Sequence, residues 1–114
     1  MIKNSVVLVP FPFDDFSELK VRPALCLTRE VGKHKHVVIA FISSKIPNEF
    51  LKSDLILEKN SKLFQGTGLA VDSVIRLHKL VTKPNLLIKR KLGIIGVQTE
   101  NEVKKKITEL FFEK

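Results

Sequence analysis

The chain has 114 residues, 44% of them apolar, with 20 lysines and arginines against 12 acidic residues and a formal charge of +8. That length suits one domain, residues 1–114, with enough apolar content for a core, and its single cysteine, Cys26, rules out an intrachain disulfide or a cysteine-based zinc site. The longest apolar runs, such as Val37 to Ile42, fall far short of the ~18 residues of a membrane span, and MIKNSVV lacks the long apolar stretch of a secretory signal, so a cytoplasmic protein without a membrane partner is expected.

The positive charge is unevenly placed. No acidic residue occurs between Asp72 and Glu100, an interval that holds Arg76, Lys79, Lys83, Lys89, Arg90 and Lys91. One-sided charge of this kind suits a polyanion or an acidic protein partner.

In chain order, Val6 to Phe11 is apolar and β-branched, as in a strand buried on both faces. Pro10 and Pro12 lack an N–H and belong at a strand end or edge. Asp14 to Lys20 reads as a polar loop, and Arg22 to Thr28 as a second strand entered through Pro23. A turn at Gly32-Lys33 leads into a third strand, His36 to Ile42, forming a hairpin. Cys26 sits in the apolar run PALCL and reads as a packing residue. Asp54 to Leu57 is a short fourth strand, and Asn60 to Gly68 a loop with permissive glycines at 66 and 68. Val71 to Thr82 is a fifth strand whose imperfect alternation predicts a bend or bulge. Ile88 to Leu92 is a sixth.

The period then changes. Val103, Ile107, Leu110 and Phe111 recur on one helical face. Thr99 and Glu102 have capping-box spacing, which predicts a helix from about Glu100 to Phe112. Bent strands followed by one helix predict a mainly β fold, a small, partly open barrel.

The stretch VVLVPFPFDDFSELKVRPALCL, Val6 to Leu27, resembles the N-terminal signature of the MazF/PemK toxins. Its pieces are Pro10-Phe11-Pro12-Phe13, a polar loop with Asp15 and Ser17, and Arg22-Pro23 opening the next strand. Further matches are Ile42-Ser43-Ser44, Gly68-Leu69 with Ser73-Val74-Ile75-Arg76-Leu77, and Lys91-Leu92-Gly93. The chain departs from the pattern at Asn4-Ser5, where the family begins its first strand with Gly-Asp, and at Ser17-Glu18, where it has Ser-Gly. The resemblance implies an SH3-like barrel of the CcdB/MazF type that pairs as a homodimer. It implies an endoribonuclease of type II toxin–antitoxin systems, acting on single-stranded RNA without metal or cofactor. Its protein partner would be an acidic antitoxin that blocks the RNA groove and joins it in binding DNA.

RNA carries its own nucleophile, the 2′-OH beside each phosphodiester. Attack needs a proton acceptor, stabilisation of the phosphorane, and a proton for the leaving 5′-oxygen. Arg22, similar in position to the family's active-site arginine, can hold two phosphate oxygens in a fixed fork. Ser43 falls where the family commonly has threonine and can orient a phosphate oxygen; Ser44 is its neighbour, and strand register decides which of them faces the site. Glu18 is the carboxylate candidate for the base, and His78 the imidazole candidate. Ser17, Lys20, Arg76 and Lys79 complete the RNA-binding set, Arg76 having pairing with Asp72 or another carboxylate as its alternative. His34 and His36 share a strand face, a metal-binding spacing that lacks a third ligand, and read as surface residues. Two other functions compete: a decayed RNA-binding or regulatory protein of this fold, and a gyrase poison like the related CcdB toxins. The latter depend on a C-terminal tryptophan, and this chain has no tryptophan.

Overall fold

The computed structural model describes residues 2–12 and 19–113. Six strands form one antiparallel sheet: β1 (Ser5–Pro12), β2 (Leu19–Cys26), β3 (His36–Ser43), β4 (Asp54–Leu57), β5 (Ser73–Pro84) and β6 (Arg90–Ile94). Their order across the sheet is β4-β5-β3-β2-β1-β6, and α1 (Val97–Phe112) follows. Short 3-10 turns occupy Lys62–Phe64 and Asn85–Leu87.

The sheet curls so that its two ends meet through a loop. Beyond β4 the chain reaches Gly66, whose carbonyl accepts a hydrogen bond from the Ile94 N–H of β6 at 2.8 Å. This approach requires bare backbone at Gly68 and Gly93. Gly68 has φ +75, and a Cβ there would lie 2.1 Å from the Leu92 carbonyl oxygen; a Cβ on Gly93 would lie 2.1 Å from that of Gly66. The result is the half-open barrel expected from the strand pattern.

β1 carries apolar residues to both faces, as its sequence predicts. Val6 joins a core with Leu25, Ala40, Ile42, Leu57, Ile75 and Leu77, on the side where Val103 of α1 packs. Val7 and Val9 join a second, smaller core with Ala24, Cys26, Val37 and Ile39. The prolines of β1 cost no sheet hydrogen bond. Leu8 directs its carbonyl toward the β6 side, accepting from the Lys89 N–H at 2.8 Å, so by alternation Pro10 and Pro12 direct their nitrogens to that side as well. There β6 has already ended, its last pair being Leu8 with Arg90.

β5 and β6 each lie two residues further along than expected, at Ser73–Pro84 rather than Val71 to Thr82 and at Arg90–Ile94 rather than Ile88 to Leu92, and three further expectations need correction. β2 covers Leu19–Cys26 rather than Arg22 to Thr28. Pro23 is not its entry but an interior residue, paired with Leu8 and one position outside the ladder with β3, which begins at Ala24. The helix begins at Val97, and Gly96 is its N-cap, with no side-chain cap. Thr99 is 1% exposed inside the first turn, so its side chain packs instead of forming a capping box. The predicted apolar helix face is covered only in part: Val103 is buried, whereas Leu110 and Phe111 are exposed.

The hairpin between β2 and β3 closes at Val31 and His36, which exchange backbone hydrogen bonds around Gly32 to Lys35. The predicted irregularity of β5 is a bulge. Ala40 pairs with Leu80 but the next residue, Phe41, pairs with Arg76, leaving Leu77, His78 and Lys79 without opposite partners on β3. Asn4 takes φ 71, a left-handed conformation that asparagine tolerates.

Candidate active site

Strand alternation decides which side chains share a face. Along β2, Lys20, Arg22, Ala24 and Cys26 point to one side, the side of the smaller core that contains Ala24 and Cys26. Along β3, Val37, Ile39, Phe41 and Ser43 point to that same side. Ala24 pairs with Phe41. Arg22 and Ser43 each lie two residues beyond that last pair, on the same face of the sheet, where β2 and β3 have stopped pairing. Ser44 is the next residue after β3 and is exposed, so Ser43 is the serine that β3 carries on the face of Arg22.

Arg22 is half-buried, with its Nε enclosed, and Val9 of β1 lies across from it. The Ser43 hydroxyl caps the end of its strand. Its oxygen accepts from the Lys45 N–H at 3.0 Å, and it donates to the Lys45 carbonyl at a longer 3.3 Å. One acceptor position of the hydroxyl remains, and the long donor bond can be exchanged for a stronger acceptor such as a phosphate oxygen.

Arg76 pairs with Phe41, in the row beside Ser43. Its Nε donates to Asp54 Oδ1 at 2.7 Å, and the Asp54 carboxylate is fully buried and also accepts from the Leu51 N–H at 2.9 Å. The carboxylate thus fixes one side of the guanidinium, whose remaining N–H groups are still donors. Lys79 leaves the β5 bulge and sets its Nζ 5.7 Å from the centre of the Phe41 ring, a cation–π contact. His78 is exposed in the same bulge. Lys20 is exposed on the Arg22 face. Ser17 and Glu18 lie outside the described residues. The structure therefore groups Lys20, Arg22, Ser43, Arg76 and Lys79 on one side of the sheet. Phe41 and Asp54 were not singled out from sequence; the i, i+2 relation of Phe41 to Ser43 was the available signal for the first.

Cys26, under this face, is fully buried, and burial pushes its thiol up to about 11. A protonated, enclosed thiol is a packing group. Outside the face, the Glu100 carboxyl is held below its ordinary value, first by a hydrogen bond from the Asn4 side chain and then by Lys104 and Lys3. His34 and His36 are exposed with ring centres 6.0 Å apart, and no group of three ligand-type side chains forms among the described residues.

The sequence model of the PemK-like, MazF-like toxins of type II toxin–antitoxin systems matches residues 3–111. The chain belongs to this family. No curated protein sequence matches it. Among solved structures, it is similar to the Mycobacterium tuberculosis toxin MazF-mt6 at 22% identity and a TM-score of 0.71, over 94% of this chain and 95% of that one. MazF from Deinococcus radiodurans is similar at 15% identity and TM-score 0.66, over 96% and 94% of the two chains. A mycobacterial endoribonuclease in complex with its cognate antitoxin is similar at 11% identity and TM-score 0.65, over 95% and 91%. Identities this low establish the shared fold, a MazF-like sheet with one C-terminal helix. The toxin's described residues include no helix long and apolar enough to cross a membrane.

Proposed function

We propose that this MazF-type toxin is a metal-independent endoribonuclease that cuts single-stranded RNA in the cytoplasm. The observation that supports the reading is the pairing of Ala24 with Phe41, from which strand alternation puts Arg22 and Ser43 on one face, near Lys20, Arg76 and Lys79. In the reaction, a base removes the 2′-OH proton and the 2′-oxygen attacks phosphorus. The P–O5′ bond then breaks and the leaving oxygen takes a proton, giving a 2′,3′-cyclic phosphate and a 5′-OH. Arg22 binds two non-bridging oxygens and stabilises the charge that grows on the phosphorane. An arginine holds its proton near neutral pH, so proton transfer falls to Glu18 or His78. Ser43 orients the phosphate. Ser17, Lys20, Ser44, Arg76 and Lys79 hold the flanking backbone, and the Phe41 ring offers a surface for base stacking.

The reading extends to protein partners. An acidic antitoxin is supported by the charge of +8. It and a homodimer are both supported by exposed apolar surface at the end of α1, where Phe111 and Phe112 are 58% and 81% exposed. Beside them runs a groove of about 370 Å³ lined by Leu27, Val38, Leu80, Val103 and Ile107.

The test is cleavage of long single-stranded RNAs in EDTA by purified wild type and Arg22→Ala. The reading expects products with cyclic phosphate ends from the wild type alone, and it fails if the folded wild type leaves a panel of RNAs intact. Salt-sensitive RNA binding without products would identify a binding protein of the same fold instead.

A further inference from the structure

The Arg22 side of the sheet also holds a cavity of about 340 Å³ at the start of β1. Its apolar part comes from Ile2, Val7 and Ile88, all packed into the smaller core. Ser5, Glu30, Asn85 and Lys91 supply its polar part. Ser5 is 1% exposed, and its Oγ is buried without a hydrogen-bond partner among the described residues. A hydroxyl in that state gains from any ligand atom that meets it. Asn85 Nδ2 donates to Glu30 Oε2, which orients both side chains and leaves Asn85 Oδ1 and Glu30 Oε1 as acceptors. Lys91 pairs with Val7 in the sheet and brings an ammonium group to the same cavity.

The position relates directly to Arg22. Ser5, Val7 and Val9 alternate onto one face of β1, and Val9 pairs with Arg22. Ser5 is four residues, roughly 13 Å, along the strand from Val9. A base one or two nucleotides away from the phosphate held at Arg22 can span that distance.

We propose that this cavity is a base-recognition subsite selective for guanine, an inference that rests on the RNA-cleaving reading above. The apolar wall suits the flat face of a base. Two acceptors, the Glu30 carboxylate and the Asn85 carbonyl, match the adjacent N1–H and N2 amino donors of guanine. Ser5 and Lys91 supply donors for its O6 and N7 acceptors. Uracil presents one N–H between two carbonyl oxygens, which the Glu30 carboxylate repels. Adenine and cytosine set a bare ring nitrogen beside their amino group, where a carboxylate finds no proton.

Two measurements test this and keep it separate from the nuclease reading. In the first, isotopically labelled wild type is titrated with guanosine 5′-monophosphate, uridine 5′-monophosphate and inorganic phosphate while amide resonances are followed. The guanosine nucleotide should move the amides of Ser5, Val7 and Lys91 and the other two probes should not. Glu30→Gln and Lys91→Met should each weaken that binding about tenfold. In the second, the 5′ ends of RNA fragments are sequenced. Wild type should show guanine enriched at one position near the cut, and Glu30→Gln should lose that enrichment about tenfold. The subsite is overturned if guanosine and uridine nucleotides move those amides equally or not at all, or if the variants cut with the wild-type base preference. Guanosine binding at these amides by a protein that cuts no RNA would support the pocket and defeat the nuclease reading.

Discussion

On the side covered by α1, β3 and β5 present Ala40, Ile42, Ile75 and Leu77, none more than 1% exposed. On the other side the same stretch presents Phe41, Ser43 and Arg76, none fully buried, with Val74 as the buried residue opposite Ser43. The two sets interleave residue by residue, so the difference cannot come from the strands' general hydrophobicity. It comes from what covers each face. The helix closes the first. The second is closed at one end by Val7, Val9, Ala24, Cys26, Val37 and Ile39, and becomes polar where Arg22 and Ser43 follow on the same strands. Polar groups can stay half in water there at no great cost, because the apolar layer has ended. Stability is concentrated on one face and the candidate chemistry at the margin of the other.

That contrast makes mutations on the two faces separable. The largest effect is expected for Leu57→Ala, which opens a cavity in the helix-side core. It should cost about 2–5 kcal/mol in urea unfolding, and residual folded protein should keep its activity per molecule. Next is Arg22→Ala. Loss of a phosphorane-stabilising donor should lower cleavage about 10²–10³-fold, with a melting temperature near that of wild type; an equally large drop in stability would break the distinction between the faces. Asp54→Asn is intermediate. It removes the charged acceptor that Arg76 Nε and the Leu51 N–H share, and should cost roughly 1.5–3 kcal/mol in chemical denaturation. Because Arg76 then moves more freely beside Ser43, cleavage should fall as well.

The smallest effect concerns Cys26. Its thiol is pushed up to about 11 from an ordinary 9.0 by burial. The folded state therefore binds this proton more tightly than the unfolded one. The sign follows: the stabilisation is full below about 9 and is lost as pH rises toward 11. A thiol reagent at pH 8 should react with Cys26 only at the rate of unfolding. Rapid labelling of the native protein would show that the smaller core opens easily.

Much of the fold was legible because it depends on local alternation. Asp54 to Leu57 was read with the bounds the structure has, and β3 extends the expected strand by one residue, to Ser43. β2 was misplaced because Pro23 was read as a barrier, whereas a proline is tolerated one position outside a ladder. The helix start was misplaced because Thr99 has the spacing of a cap, and only the packed structure buries it. Ser43 was a legible candidate, and its face follows from counting in twos from Phe41. That Arg76 could pair with a carboxylate was legible, but its partner Asp54 was not, because the pair joins strands across a separation of 22 residues. The cavity at Ser5 was hidden for the same reason, being assembled from β1, the β2–β3 hairpin, the 3-10 turn after β5, and β6.

The alignment of Pro10 and Pro12 has a further consequence for life at high concentration. Among the described residues, β1 beyond Leu8 pairs only on its β2 side, so its other edge is the one that a strand from a second molecule would approach. Both prolines turn toward that edge, where they offer no N–H. An incoming strand would find acceptors without their matching donors, which makes sheet-to-sheet addition unfavourable. The described end of β1, paired with the Arg22 stretch of β2, is thus a poor seed for aggregation.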